Sequence, residues 1–162
     1  MGAPGWTDRE FEQIEPDECR LLLRSVPVGR LVFTEDTVPV AHPVNFAMVG
    51  DDVIITTGPG QKLDAARRRD VVAFQADEID TGTRTGWSVL VIGEASVVHD
   101  IDRLISLLDP AVRPWPPRGR DRHVIQVAGE RIEGRRLVPA RRADDATSAD
   151  GATSADGATR KP

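Results

Sequence analysis

The chain has 162 residues, of which 21 are lysine or arginine, 26 are aspartate or glutamate and 40% are hydrophobic. This composition is that of one globular domain with a sizeable core, and the formal net charge of −5 argues against nucleic acid as a partner. A single cysteine excludes an intramolecular disulfide, and no apolar run approaches the roughly 18 residues that span a bilayer. The sequence therefore predicts a cytoplasmic protein that does not cross a membrane.

Composition divides the chain into three parts. Residues 1–14 are predicted to be an N-terminal lead, and residues 15–139 are predicted to be the folded domain. Residues 140–162 contain the unit A-T-S-A-D-G twice, and the repeats have no aliphatic side chain larger than alanine. Because such a segment has nothing to bury, the sequence predicts a disordered tail.

The domain begins with a helix and continues mainly as short strands. Residues 15–25 have acids in the first predicted turn, Arg24 in the last, and Cys19 on the apolar side, which predicts a helix that caps a barrel and buries an inert thiol. Turn residues then separate six apolar or alternating segments. These predicted strands are 29–34, 38–46, 53–57, 71–76, 87–98 and 123–127. Six strands at this spacing indicate a mainly β protein with short helices and an antiparallel barrel.

Two further helices are predicted between the strands. One covers residues 62–69, directly after Gly58-Pro59-Gly60. The other covers residues 102–108, with Asp100 as its N-cap and an end before Asp109-Pro110, because proline disfavours helical geometry at the preceding residue.

The strand-turn-helix segment at residues 56–68 is the first candidate site. Backbone N–H groups, the helix dipole and Lys62 in the first turn together favour a phosphate. The alternative is a plain connection between a strand and a helix. The P-loop pattern G-x-x-x-x-G-K-[ST] is absent, so a P-loop nucleotide site is excluded.

The segment A-H-P-V-N-F at residues 41–46 is the second candidate. Pro43 interrupts a predicted strand, which indicates an edge or a bulge where backbone can face a ligand. His42 is the chemical candidate here, and the alternative is a histidine with a structural hydrogen bond. Asn45 is interpreted either as a reader of an amide edge or as a residue that stabilises a turn.

Trp87 and Ser88, at the start of the fifth predicted strand, are the third candidate. The indole offers a stacking face for a planar ring and the hydroxyl a polar rim, whereas core packing is the alternative for the tryptophan. The sequence has no G-x-S-x-G elbow, so nucleophilic acyl chemistry has no support. Arginines concentrated in residues 113–142 are interpreted as a solvated face or a subunit contact.

Taken in chain order, four segments resemble the pyridoxamine 5′-phosphate oxidase-like family of FMN-binding split barrels, in its small actinobacterial-type branch. The segments are G-R-L-V-F-T, P-V-N-F, the strand leading into the Q-K-L helix, and G-W-S-V-L-V-I-G-E-A, and the resemblance covers about residues 15–136. It implies a six-stranded antiparallel split β-barrel and a homodimer with FMN in the cleft between subunits. The cofactor-binding residues that it implies are His42, Pro43, Val44, Asn45, Thr57, Gln61, Lys62, Trp87 and Ser88.

The sequence departs from the oxidases proper at two cations. Gln61 stands where those enzymes have an arginine, and Ala47 stands where they have a lysine. The C-terminal arginine and histidine segment that holds their substrate also has no counterpart. We therefore expect either weaker binding of the flavin phosphate or a different cofactor, and no activity as a pyridoxamine phosphate oxidase.

The resemblance implies an oxidoreductase that passes a hydride or electrons from NADH or NADPH to a small organic acceptor. Because the flavin supplies the reaction, no catalytic side chain and no metal are expected. Two alternatives remain open: a reductase that uses a deazaflavin coenzyme, and a non-catalytic sensor or store of flavin or haem with His42 or His99 as an axial ligand.

Overall fold

The computed structural model describes residues 11–100, 102–103 and 121–138. The predicted tail and the predicted third helix beyond Arg103 lie outside these ranges. Asp100 does act as the expected N-cap, since its carboxylate accepts a 2.7 Å hydrogen bond from the backbone N–H of Arg103. The described elements, in chain order, are β1 (Phe11–Ile14), α1 (Pro16–Ser25), β2 (Val28–Glu35), β3 (Val38–Val49), β4 (Asp52–Thr57), α2 (Gln61–Arg68), β5 (Val71–Asp80), β6 (Thr85–Val97), β7 (His123–Val127) and β8 (Arg131–Leu137).

Six strands close into an antiparallel barrel, as predicted. The hydrogen-bonded order around the ring is β6-β5-β2-β3-β4-β7, and β7 pairs again with β6. The long strand β6 belongs to two sheets, because residues 86–92 pair with β8 whereas residues 95–97 pair with β7. Strands β8 and β1 therefore extend the wall beyond the ring.

Alternation of side chains fixes which face of each strand is inside. On β5 the residues Val72, Phe74 and Ala76 are buried, and on the neighbouring strand β6 Phe74 and Ala76 pair with the buried residues Val91 and Val89. Gly29 on β2 is needed for this packing, because a Cβ there would lie 2.2 Å from the ring of Phe74. The barrel core is therefore closely packed.

The two helices cover opposite ends of the barrel. Helix α1 buries Cys19 and Leu23, and it packs against β8 at Gly134, where a Cβ would lie 2.4 Å from the Cys19 Sγ atom. Helix α2 buries Leu63 and two alanines. Both helices match their predicted positions, and neither is long and apolar enough to cross a membrane.

The sequence did not predict β1, β8 or the full length of the hairpin formed by β5 and β6. Strand β8 has four charged residues among its seven, which hid its strand character. Strand β5 runs to Asp80 instead of ending at Ala76, and it pairs with β6 along ten residues. The Asp80 carboxylate closes this hairpin by accepting hydrogen bonds from the N–H groups of Gly82 and Thr83, at 2.8 Å and 3.1 Å.

Candidate functional site

Among the described strands, one edge of β3 has no pairing partner where it lies beside the end of β4. The pairing of β3 with β2 is continuous from Val38 to Asn45, whereas its pairing with β4 begins only at Phe46, opposite Ile55. Pro43 therefore lies at an edge and not at a bulge, which explains how a proline without an N–H group fits this strand. Continuing the β3–β4 register brings Val44 opposite Thr57, where the described pairing has ended. The edge at residues 42–45 and the loop that leaves β4 thus border one opening.

Thr57 ends β4 at this opening. It is the one buried polar residue in the described part of the chain, with 6% of its surface exposed. Its side chain forms no hydrogen bond with any described residue. Every polar side-chain atom that is fully buried in the described ranges has a hydrogen-bond partner. Because the Thr57 hydroxyl has none, it must be in contact with solvent. This hydroxyl is available to a ligand.

The loop between β4 and α2 has the open geometry that a phosphate site needs. Gly60, the N-cap of α2, has φ 136° and ψ −170°, a conformation that other residues rarely adopt, and a Cβ there would meet no atom within 4 Å. No side chain caps the start of α2. Its first N–H groups therefore remain free to bind an anion.

Lys62 is the cation at this end of α2. It is half-buried, and its side chain has no hydrogen bond or ion pair with any described residue. Three arginines later in the segment each bind a carboxylate: Arg67 with Asp64 at 3.2 Å, Arg68 with Asp70 at 2.7 Å, and Arg69 with Glu94 at 2.5 Å. Among the cations of this segment, Lys62 is thus the one whose side chain has no carboxylate partner among the described residues.

Gln61 is held by a residue that sequence reasoning missed. Its side-chain amide donates a hydrogen bond to the carboxylate of Glu35, the last residue of β2. The two positions are 26 residues apart, so only the register of the folded sheet brings them together. No local signal in the sequence could have found Glu35.

His42 and Asn45, the two β3 candidates with polar side chains, lie on opposite sides of the strand. His42 lies on the same side of β3 as buried Val44, and its ring meets the ring of Phe33 edge-on, with centroids 5.2 Å apart. Pro43 and Asn45 lie on the outer side. Aromatic packing thus holds His42, which leaves Asn45 as the polar side chain of this edge that faces outwards.

Trp87 and Ser88 lie on β6, which β5 and β2 separate from the β3 edge within one chain. Glu94 contacts the C-terminal end of α2 through Arg69, and Trp87 is seven residues earlier on β6, about 23 Å away along the strand. Trp87 packs in the core with 8% of its surface exposed, and Ser88 accepts a 3.0 Å hydrogen bond from Gln75. One chain therefore groups the candidates on β3, β4 and α2, but not the pair on β6.

The remaining chemical candidates offer no second site. In the described ranges, no three His, Cys, Asp or Glu side chains are grouped so that they could hold a metal ion. Burial raises the pKa of the Cys19 thiol, as expected for the inert cysteine that the helix pattern predicted.

Known proteins resemble this chain along most of its length. The family model described as pyridoxamine 5′-phosphate oxidase matches residues 15–136. The uncharacterized protein Rv0080 of Mycobacterium tuberculosis is 36% identical over 135 residues, which cover 80% of this chain and 88% of that protein. The solved FAD binding protein of Mycobacterium smegmatis is 34% identical with a TM-score of 0.68, covering 78% of this chain and 98% of that one. A FAD-binding protein of Mesorhizobium loti is 26% identical with a TM-score of 0.64, covering 78% and 97%. The chain thus belongs to the pyridoxamine 5′-phosphate oxidase-like family and has its split-barrel fold.

Proposed function

We propose that this protein binds a flavin nucleotide in the opening between the edge of β3 and the start of α2, and that it is an oxidoreductase. The observation that carries this proposal is the Lys62 ammonium group, which has no ion-pair partner among the described residues, behind the open turn at Gly60. The free N–H groups of α2 and the Thr57 hydroxyl add donors for a phosphate. The relatives named as FAD-binding proteins support a flavin as the ligand.

The residues around the opening would bind and orient the cofactor. Lys62 and the α2 N-terminus would hold the ribityl phosphate, and the β3 edge with Asn45 would lie along the ring. When bound, a flavin exchanges a hydride with a reduced nicotinamide and electrons with a small organic acceptor. The protein then needs no side chain as acid or base, and its part is to position the ring and limit its contact with water.

The sequence predicted FMN, and the phosphate contacts proposed here suit FMN or the same phosphate within FAD. A deazaflavin and haem stay open as alternatives. The visible absorption spectrum of the purified protein distinguishes these chromophores. A flavin spectrum supports the proposal, whereas a Soret band or the absence of any flavin binding in a fluorescence titration contradicts it.

Activity is tested separately from binding. We expect anaerobic NADH or NADPH to bleach the bound flavin. A flavin that stays oxidised in excess of both donors would favour a sensor or store. We also expect no turnover of pyridoxamine 5′-phosphate in an oxygen-coupled assay, because the sequence has no counterpart of the C-terminal arginine and histidine segment that holds the substrate in the oxidases proper.

We also propose that two chains are needed to complete the site. Within one chain, β5 and β2 separate Trp87 and Ser88 from the β3 edge, so a partner would supply them if they contact the flavin. The outer wall offers a surface for such a partner, because half-buried Val32, Ala73 and Ile92 lie side by side on β2, β5 and β6. The described helices bury their apolar sides in the barrel core instead.

Light scattering tests this assembly. The wild-type protein is expected at about 35 kDa, twice the chain mass of 17.7 kDa. Ile92→Asp should give monomers, because it places a charge within an apolar interface. The matched control is Leu21→Asp on the exposed side of α1, where Leu21 is 66% exposed and the dimer should persist. A wild-type mass of one chain would contradict the proposal.

A further inference from the structure

The inner faces of β4 and β7 change from aliphatic to polar where these strands reach the opening. One row deeper in the barrel, Ile55 pairs with Ile125, and both side chains are fully buried. The last row of this pairing joins Thr57 and His123. Residues two positions apart on a strand share a face, so Thr57 and His123 continue the same inner face. A hydroxyl and an imidazole therefore occupy neighbouring positions at the opening.

The His123 imidazole is not used by the fold around it. It is half-buried, and within the part of the chain that the structure describes it has no hydrogen bond, ion pair or ring contact. The other two histidines are placed differently, since the His42 ring packs against Phe33 and His99 is exposed. An imidazole always has at least one N–H group, and that of His123 is available to a ligand.

The loop that leads to α2 lies against the start of β7. A Cβ on Gly58 would lie 3.9 Å from the backbone carbonyl oxygen of Asp121, two residues before His123. Directly opposite residues of an antiparallel pair have Cβ atoms about 4.5–5.5 Å apart, so one bound group can contact both Thr57 and His123. His123 is thus a neighbour of the loop that precedes Lys62.

We propose that His123 is a further binding residue for the flavin phosphate, to which its imidazole donates an N–H hydrogen bond beside the Thr57 hydroxyl. This inference rests on the proposed flavin site. A phosphate has several acceptor oxygens, and hydrogen bonds to an ionised acceptor are stronger than those between neutral groups. Lys62 and the free N–H groups of α2 are donors on the helix, and His123 adds a donor from β7.

Substitutions at His123 separate its N–H group from the rest of the side chain. His123→Phe removes the N–H group and keeps an aromatic ring, whereas His123→Gln keeps an N–H donor. His123→Leu replaces His123→Phe in the test if the larger ring prevents folding. Thr56→Val is the matched control on β4, because Thr56 lies on the opposite face of the strand from Thr57. Thermal melting confirms that each variant is folded.

Dissociation constants for FMN and riboflavin are measured by flavin fluorescence. His123→Phe should weaken FMN binding about five- to fiftyfold, because a hydrogen bond to a charged group is lost. His123→Gln should stay within about threefold of the wild type, since it keeps a donor, and Thr56→Val should match the wild type. The affinity for riboflavin, which has no phosphate, should change less than about twofold in every variant. If the wild type binds FAD but not FMN, FAD replaces FMN in the same comparison.

The outcomes separate this inference from the proposed function. If the wild-type protein binds neither FMN nor FAD, the flavin proposal fails and this inference fails with it. If Lys62→Ala weakens binding of the flavin nucleotide but His123→Phe does not, the flavin site stands and the inference is overturned. An equal loss of riboflavin affinity in His123→Phe would also overturn it, because the effect would then not involve the phosphate.

Discussion

The two ends of the barrel differ in how completely their polar and apolar groups are satisfied. At the end covered by α1, Cys19 and Leu23 are fully buried, and Arg136 binds Glu18 at 2.5 Å. At the end covered by α2, Lys62 has no partner among the described residues, Gly60 faces open space, and the edge of β3 is unpaired. The barrel is thus closed at the α1 end, whereas the α2 end keeps polar groups that can bind a ligand.

This difference separates groups that stabilise the fold from groups that are available to a ligand. A charged group without a partner adds little to folding, but it can contribute its full interaction to binding. Substitutions at the α1 end should therefore change the free energy of unfolding, and substitutions at the start of α2 should change affinity.

The largest expected effect is on stability at the α1 end. Leu23→Ala removes a fully buried side chain and leaves a cavity, which should lower the free energy of unfolding by about 2–5 kcal/mol. Leu21→Ala is the matched control on the same helix, because Leu21 is 66% exposed. Urea denaturation measures both. Equal losses in the two variants would show that α1 does not close the barrel as described.

Lys62→Ala should have the reverse profile at the α2 end. Losing a charge-assisted contact of roughly 1.5–3 kcal/mol should weaken flavin binding about ten- to a hundredfold, with little change in the thermal midpoint. Arg67→Ala is the control, since Arg67 already binds Asp64. Flavin fluorescence titrations that give the same affinity for Lys62→Ala and wild type would refute the assignment.

The smallest effect is expected at the hairpin between β5 and β6. The N–H groups of Thr83 and Gly82 hold the pKa of Asp80 below its usual value. Because the pKa is lower in the folded chain, the carboxylate stabilises the fold above its unfolded pKa, and this contribution is lost as the pH falls through the folded value.

Asp80→Asn keeps an acceptor oxygen and removes the charge. The gap in thermal midpoint between wild type and this variant should be small at pH 7 and should narrow as the pH falls below about 4, the ordinary pKa of an aspartate. A constant gap over this range would mean that the charge of Asp80 has no part in closing the turn.

Local patterns predicted the parts of the fold that depend on local physics. The β-branched run of β4, the dipole-matched helix α1 and the turn before α2 were all found from short segments. Strand β8 was missed because its packing depends on its neighbours: Gly134 is favoured there because Cys19 and Ile14 occupy the space of a side chain.

The candidate site also contains some residues that local sequence patterns predict and others that they do not. Lys62 and Thr57 could be proposed from the sequence because a strand, a glycine turn and a helix follow one another directly. Glu35 and the unpaired edge of β3 depend on strand register, which a single sequence does not specify. The separation of Trp87 from the loop also required the register of β6.

Because β6 is divided between two sheets, only a short stretch of it is left to close the ring. Three residue pairs between β6 and β7 form the seam that closes the ring: Ala95 with Val127, Ser96 with Gln126, and Val97 with Ile125. The β5–β6 hairpin forms from neighbouring residues, whereas this seam joins residues about 30 positions apart and must pay the entropy of closing that loop. Ring closure should therefore come late in folding, and amide hydrogens at the seam should exchange with solvent sooner than those within the hairpin.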